Sequence, residues 1–332
     1  MKKLDQVYDH VTSLGIGLTS LCNLKCSHCY SKNLSKKTLT LAEMEGIFEY
    51  FPNLQKVNFG TGESILNPDF LKIVDFFHAK KIKIAVTSNG TTIAQMSDEH
   101  LKKLDEVDIS LDFANAKEHD EWRGYPGLFD RAIESIERCK KLGIEISIAT
   151  VLMNSNYKVF GEFKKILDKY DIHLRVNLCK PVDTDEFQMS YEEFWESMKI
   201  IADNFTLVAS SEPVLAIVTD INDHLCGSPC GDSVRLHPDF SVSPCVYVDG
   251  NKISTEKFIE MKKQIPKFCQ DCDFVDKCRG GCMSRRIFND NVDKPDEYCP
   301  IYRGDKIPEI NFKTLVGKEF IHSNYLCTFI LK

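Results

Sequence analysis

Cys22-Asn-Leu-Lys-Cys26-Ser-His-Cys29 places three thiols in one short segment near the start of the chain. Three thiolates this close can converge on one metal centre, one short of the four that close a cubane iron–sulfur cluster. A closed structural site takes four ligands, whereas a reactive site keeps a position open. The segment is therefore a candidate for a cluster with one open iron, and its spacing equally allows zinc with a distant fourth ligand. Eight further cysteines form a second group: Cys226-x3-Cys230-x14-Cys245, then Cys269-x2-Cys272-x5-Cys278-x3-Cys282, then Cys299. Eight thiolates divide evenly into two four-thiolate sites, which two iron–sulfur clusters or two zinc ions would satisfy.

Those residues need a frame. Residues 14–19 read as a strand leading into Cys22, and 56–59, 83–87, 107–111, 145–151 and 173–178 read as five more. Thr40-x-x-Glu43 is a capping box that opens a helix to about residue 50. Asn67-Pro68 marks a second helix start, and Ser97 caps a third. Residues 128–142 place Phe129, Ile133, Ile136 and Leu142 periodically before Gly143 stops the helix, and 157–169 form another. Ser190-x-x-Glu193 caps one more. Six strands with helices between them predict an α/β chain with a parallel sheet and right-handed crossovers. A curled, partial (βα)6 TIM-like barrel fits that order. Barrel chemistry sits at the C-terminal ends of strands. The cysteine loop, Gly60-Thr61-Gly62-Glu63, Ser88-Asn89-Gly90, and Ser110 with Asp112 follow the first four strands in turn.

CxxxCxxC with His28 before the third cysteine resembles the radical S-adenosylmethionine (SAM) superfamily. The resemblance implies that Cys22, Cys26 and Cys29 hold a [4Fe–4S] cluster whose open iron chelates the amino and carboxylate groups of SAM. Reductive cleavage of SAM then releases a 5′-deoxyadenosyl radical, which takes a hydrogen from substrate. The later cysteines resemble the SPASM extension of that superfamily, so the chain is expected to end in a small cysteine-rich SPASM module. Carried over, Cys226, Cys230, Cys245 and Cys282 hold a first auxiliary [4Fe–4S] cluster. Cys269, Cys272, Cys278 and Cys299 hold a second, for three clusters in all. The family usually has a glycine in the turn before Cys245, where Pro238-Asp239-Phe240-Ser241 carries Phe240.

Gly60-Thr61-Gly62-Glu63 occupies the place of the family's GGE motif, with Thr61 for the first glycine. The resemblance implies that its backbone carbonyls and the Glu63 carboxylate accept from the SAM ammonium, a charge-assisted contact. Ser110-Leu111-Asp112 and His119-Asp120-Glu121-Trp122-Arg123-Gly124 resemble the family's S-x-D and HD-x-x-RG stretches. By that resemblance Ser110 and Arg123 help hold the ribose and carboxylate of SAM, the planar arginine fork suiting a carboxylate. On its own Arg123 reads equally as a surface salt bridge. Ser88 and Asn89 either touch the cofactor or make an Asx turn. Thr61, Gly62, Glu63, Asp112 and His28 complete the expected cofactor-binding set.

Three further positions are weaker candidates. Cys179 follows the sixth strand, and Tyr247 and Asp249 follow Cys245, where they could relay protons or electrons. Core, turn or loop residues explain all three as well. Cys139, three residues after Ile136 on one helix face, reads as a buried thiol, and Cys327 sits in an apolar, strand-like tail.

The chain has 332 residues, a formal charge of −7 and 43% hydrophobic residues, which gives no electrostatic footprint for nucleic acid. No apolar run approaches the ~20 residues that span a bilayer. Asp5, Asp9 and His10 interrupt any signal-peptide core, which predicts a cytoplasmic protein with reduced thiols. Expected domains are the barrel over 1–180, a bridge over 181–225, the SPASM module over 226–299, and a tail over 300–332 docking on the barrel. Expected partners are a flavodoxin or ferredoxin-type reductant and a peptide or protein substrate. About a dozen residues precede the first strand, too few for a leader-gripping domain, so a separate protein presents the substrate or none is needed. The sulfatase-maturase subtype is disfavoured, because Val246 stands where those enzymes carry an aspartate after the third auxiliary cysteine. The alternative is the same chemistry on a small molecule, such as a cofactor or tetrapyrrole precursor. A non-catalytic electron carrier ranks lower, having no need of an open iron.

Overall fold

The computed structural model describes residues 4, 6–32, 37–219, 234–248, 253, 255–315 and 328–332. Cys226, Cys230, Asp249 and Cys327 lie outside the described residues. The strands are β1 (Ser13–Ile16), β2 (Lys56–Phe59), β3 (Lys83–Ser88), β4 (Glu106–Ser110), β5 (Glu145–Leu152), β6 (His173–Leu178), β7 (Thr206–Ser210), β8 (Val234–Leu236), β9 (Val242–Ser243), β10 (Lys313–Thr314) and β11 (Thr328–Leu331). The chain separates into two compact units. The first comprises Met1–Thr150, Tyr170–His173 and Asp232–Ser243, and the second the remainder. No helix among the described residues is long and apolar enough to cross a membrane.

In the first unit β1 to β5 pair consecutively and in parallel. β8 adds in parallel to the free side of β1, and β9 closes that edge antiparallel. One face of each of the first four strands is apolar: Leu14, Ile16, Val57, Phe59, Ile84, Val86, Val107 and Ile109 are all fully buried, and Phe59 packs against Phe70 and Phe77 of the helix Phe70–Ala79. β1 to β4 each lead into a segment that carries candidate site residues.

Element starts and stops follow local chemistry in most places. The Thr40 capping box is present: Glu43 N–H donates to Thr40 Oγ1 at 3.3 Å, and Thr40 N–H to Glu43 Oε2 at 2.8 Å. The helix tightens to 3-10 geometry from Gly46, a weak helix former. The helix Leu128–Leu142 ends at Gly143, which takes the left-handed conformation at φ 74°.

Three expectations shift. β1 ends at Ile16, where Gly17 N–H makes a last bond to Leu236 O, and Thr19 pairs with Thr38. The helix expected at Asn67-Pro68 begins at Phe70. Asn67 is a buried clamp there: its Nδ2 donates to Leu18 O and Leu39 O, and its Oδ1 accepts from Asp69 N–H. The helix expected over 157–169 divides into a 3-10 stretch Tyr157–Glu162 and an α-helix Phe163–Tyr170.

Phe240 stands where the resemblance predicts glycine, and its backbone takes a conformation that favours glycine. It is buried, with φ 68° in the left-handed region, and Tyr50 packs edge-on against it. A non-glycine residue there costs roughly 1–2 kcal/mol, which the ring's burial offsets.

In the second unit β11 pairs antiparallel with β6 and β7, and β10 pairs in parallel with β7. The helix Tyr191–Asn204 carries the Ser190 capping box and sends Phe194 and Trp195 inward. Phe194 stacks on Tyr298 at 4.2 Å, and Trp195 Nε1 donates to Tyr298 O. Arg285 is fully buried and saturated by two carboxylates: Nη1 donates to Glu212 Oε2 at 3.0 Å, Nη2 to Glu212 Oε1 at 2.5 Å, and Nε to Asp296.

Candidate functional site

The three-thiol loop follows β1 in the first unit. Cys22 is exposed, Cys26 buried and Cys29 half-buried. Leu24 and Leu128 pack with Cys26 and Cys29 and hold the loop down. Burial pushes the Cys22 thiol up to about 11, with the charges of Glu63, Cys26 and Cys29 adding to it against the Leu24 N–H. Burial likewise raises Cys26, opposed by Arg123 and reinforced by Asp112 and Cys29. Thiols that resist ionisation through one another's charge are a set that a cation would ionise together. Leu24 N–H points at Cys22 Sγ from 3.4 Å and Asn89 Nδ2 from 3.7 Å.

The loop after β2 fits this geometry only with glycine at residue 62. Its φ is 65°, and a Cβ there would collide with Leu21 O and stand 2.6 Å from Thr19 O. Glu63 is buried and its carboxylate is engaged by the chain. Oε1 accepts from Ser88 Oγ at 2.5 Å, from Thr92 N–H at 2.7 Å and from the Thr92 hydroxyl. Oε2 accepts from Asn89 N–H at 3.0 Å. The carboxylate thus ties the loops after β2 and β3 together, and Oε2 carries a single donor from the chain. Asn89 makes the Asx turn and also reaches the thiol loop. Its Oδ1 accepts from Thr91 N–H in an Asx turn, while its Nδ2 donates to Asn23 Oδ1 at 3.0 Å beside Cys22.

Asp112 lies just beyond β4, two residues after half-buried Ser110, and is inaccessible to solvent. Its Oδ2 accepts from Arg123 Nη2 at 2.7 Å and Nε at 2.9 Å. His28 Nε2 stands 3.4 Å from the same oxygen, and the His28 ring stacks on Trp122 at 5.4 Å. Both side chains of the Asp112–Arg123 pair are buried, so it is not a surface salt bridge. Burial works to lower Arg123, but the Asp112 carboxylate and the charges of Cys26 and Cys29 together outweigh it and raise the group. His119 accepts from Asp112 N–H through Nδ1 at 3.2 Å, which leaves its proton on Nε2. Burial, then Arg123, push His119 down to about 4. Burial also lowers His28. Both rings are thus neutral beside one fixed cation that faces two thiols.

Two residues of this site went unnoticed in the sequence. Arg235 of β8 donates to Thr61 Oγ1, and Tyr30 OH reaches Gly60 O at 3.4 Å. Tyr30 follows Cys29 directly, a positional signal; Arg235 is far along the chain and has none.

In the second unit Cys269, Cys272, Cys278 and Cys299 line one small cavity with Phe268 and Phe274. Burial pushes Cys269 up to about 11, with Cys299 and Cys272 adding and Arg286 opposing. Cys278 and Cys299 are raised by burial as well. Cys245, beside Cys282, is pushed up to about 11 by burial and then by the Cys282 charge. Cys179 is half-buried and its N–H donates to Leu152 O, while Lys180 Nζ stands 6.0 Å over the Tyr247 ring. Cys139 is buried and pushed up to about 12 by burial, the state of an inert core thiol. Among the described residues, no three His, Cys, Asp or Glu side chains form a ligand set for a single metal ion. By donor chemistry, four thiols around an apolar cavity fit a thiolate-ligated cluster, and three thiols with an opposing cation fit a cluster with one position open.

Residues 16–167 match the radical SAM superfamily model. The chain is 28% identical over 323 residues to mycofactocin maturase MftC of Mycolicibacterium smegmatis, covering 85% of this chain and 81% of that protein. Among solved structures it is similar to anSMEcpe with bound AdoMet and Cp18Cys peptide, with a TM-score of 0.67, 19% identity, and 88% of this chain and 94% of that one covered. It is also similar to Streptococcus suis SuiB bound to precursor peptide SuiA, with a TM-score of 0.68, 16% identity, and 87% and 75% covered. The fold is thus α/β with a mostly parallel sheet, as in those two solved structures.

Proposed function

We propose that this chain is a radical SAM/SPASM enzyme that modifies a side chain of a peptide or protein. The carrying observation is the three-thiol loop at the C-terminal end of β1, faced by the Glu63-clamped turns and the buried Asp112–Arg123 pair. Cys22, Cys26 and Cys29 would hold a [4Fe–4S] cluster and leave one iron for SAM. Bound there, SAM supplies a radical that abstracts hydrogen. Cys269, Cys272, Cys278 and Cys299 would hold one auxiliary cluster, and Cys226, Cys230, Cys245 and Cys282 another. The barrel, the bridge, the cysteine-rich module and the tail are the domains of this reading. A peptide substrate is supported by the likeness to a maturase and to a protein seen with its precursor peptide.

The chain's residues have distinct tasks in this reading. Glu63 fixes the loops, Asn89 and Leu24 N–H orient the Cys22 sulfur, and Arg123 offers its remaining N–H groups to a carboxylate. Ser110 and His28 border that place. The reductant is an acidic one-electron carrier of the flavodoxin or ferredoxin type. Residues 11–42, which contain the thiol loop, have four lysines and no acidic residue in a chain of net charge −7, and such asymmetry speeds association with an acidic partner.

The test is anaerobic reconstitution with SAM, a low-potential reductant and the short peptides encoded beside the gene. 5′-Deoxyadenosine formed in step with a mass change on one peptide, and lost in the Cys22/Cys26/Cys29→Ala variant, is the expected result. Cofactor cleavage without a mass change on any peptide would redirect the reading to a small-molecule substrate.

A further inference from the structure

We propose that Arg286 is a positioning residue for the second auxiliary cluster, donating its Nε–H toward a sulfur of the Cys269, Cys272, Cys278 and Cys299 set and raising that cluster's reduction potential. The inference rests on the reading that these thiols hold a [4Fe–4S] cluster.

Two adjacent arginines on the helix Met283–Phe288 are both buried, yet their surroundings differ. Arg285 is neutralised at hydrogen-bond distance by Glu212 and Asp296. Arg286 is 2% exposed and belongs to no ion pair among the described residues. Its Nη2 donates to Val292 O, and its buried Nε has no hydrogen-bond partner. Burying a guanidinium N–H without an acceptor is unfavourable, so an acceptor at that place is expected.

The position of the group says which acceptor. A Cβ placed on Gly280 would stand 3.5 Å from Arg286 Nη1, and Gly280 lines the four-thiol cavity. The charges that bear on the guanidinium are, in descending order, those of Asp296, Cys269, Asp293 and Cys278. Asp296 is already committed to Arg285. Cys269 is then the largest remaining negative partner, and it belongs to the sulfur set that lines the cavity beside Gly280. A hydrogen bond to sulfur and a nearby cation both favour the reduced, more negative state of a cluster, which raises its potential.

The experiment is a reductive titration with dithionite, followed by electron paramagnetic resonance. It uses the full chain carrying Cys22/Cys26/Cys29→Ala, so that only auxiliary clusters report. About eight irons per chain must be present first. Arg286→Gln is expected to shift one of the two midpoint potentials downward, leave the other in place and remove an exchangeable-proton coupling from the shifted cluster. Arg286→Lys, which keeps the charge without the fork, is expected to recover part of the shift. Unchanged potentials and an unchanged proton coupling, with iron retained, would overturn the inference. If Arg286→Gln loses iron, the same readings on Arg286→Lys decide it. About four irons or fewer in the parent would instead remove the cluster reading, and this inference with it.

Discussion

Arg123 sets two of its nitrogens, Nε and Nη2, on the single oxygen Oδ2 of Asp112, at 2.9 and 2.7 Å. The other carboxylate oxygen is not used by this arginine, and the guanidinium keeps N–H groups for another anion. A buried cation held in this way depends on its one carboxylate. Asp112→Ala is expected to destabilise the ligand-free protein by about 3–5 kcal/mol, the cost of stranding a buried charge. Urea unfolding measures it. A loss below ~1 kcal/mol, the range of an exposed ion pair, would show that the pair is solvated.

His119 predicts a pH dependence. Its folded value of about 4 lies below its unfolded value of 6.5, so the unfolded chain binds the proton more readily. The stability contribution is complete above pH ~6.5 and declines as the pH falls toward ~4. The full change is on the order of 3 kcal/mol. Chemical unfolding at a series of pH values should show this slope, and His119→Gln should flatten it. A slope that survives the substitution would assign it elsewhere.

Gly62→Ala separates the thiol sites. The substitution puts a methyl group against Leu21 O and Thr19 O, in the loop that bears Cys22. After reconstitution the variant should keep the iron of the second unit and lose that of the first, falling from about twelve irons to about eight. Full iron content would mean that the turn can relax.

Phe240 gives an inverted series. At φ 68° glycine is relaxed and alanine is strained, by roughly 1–2 kcal/mol. Removing the buried ring costs about 3–5 kcal/mol in either variant. Phe240→Gly should therefore be the milder change by about 1 kcal/mol, opposite to the usual order of glycine and alanine. Thermal unfolding of both variants against the parent checks the order.

What the sequence discloses here is what short-range patterns encode. Capping boxes at Thr40 and Ser190, the stop at Gly143 and β2 at 56–59 follow from neighbouring residues alone. So does the placing of candidate residues after consecutive strands. The Asn67 helix start shifted because its side chain answers to Leu18 and Leu39, many residues upstream. The clamp that Glu63 makes was not legible for the same reason: its donors Ser88, Asn89 and Thr92 lie 25 to 29 residues away. Arg235 on Thr61 joins residues 174 apart, and no local spacing carries that pairing. Phe240 was visible as a departure, but its left-handed backbone became apparent only in the fold.

Because chain donors alone satisfy Glu63, the turns around the thiol loop are fastened before any cofactor arrives. The conformational freedom of those turns is surrendered during folding. A molecule that later enters meets walls already in place, and its association loses correspondingly little entropy. This side of the barrel behaves as a mould rather than as a closing hand.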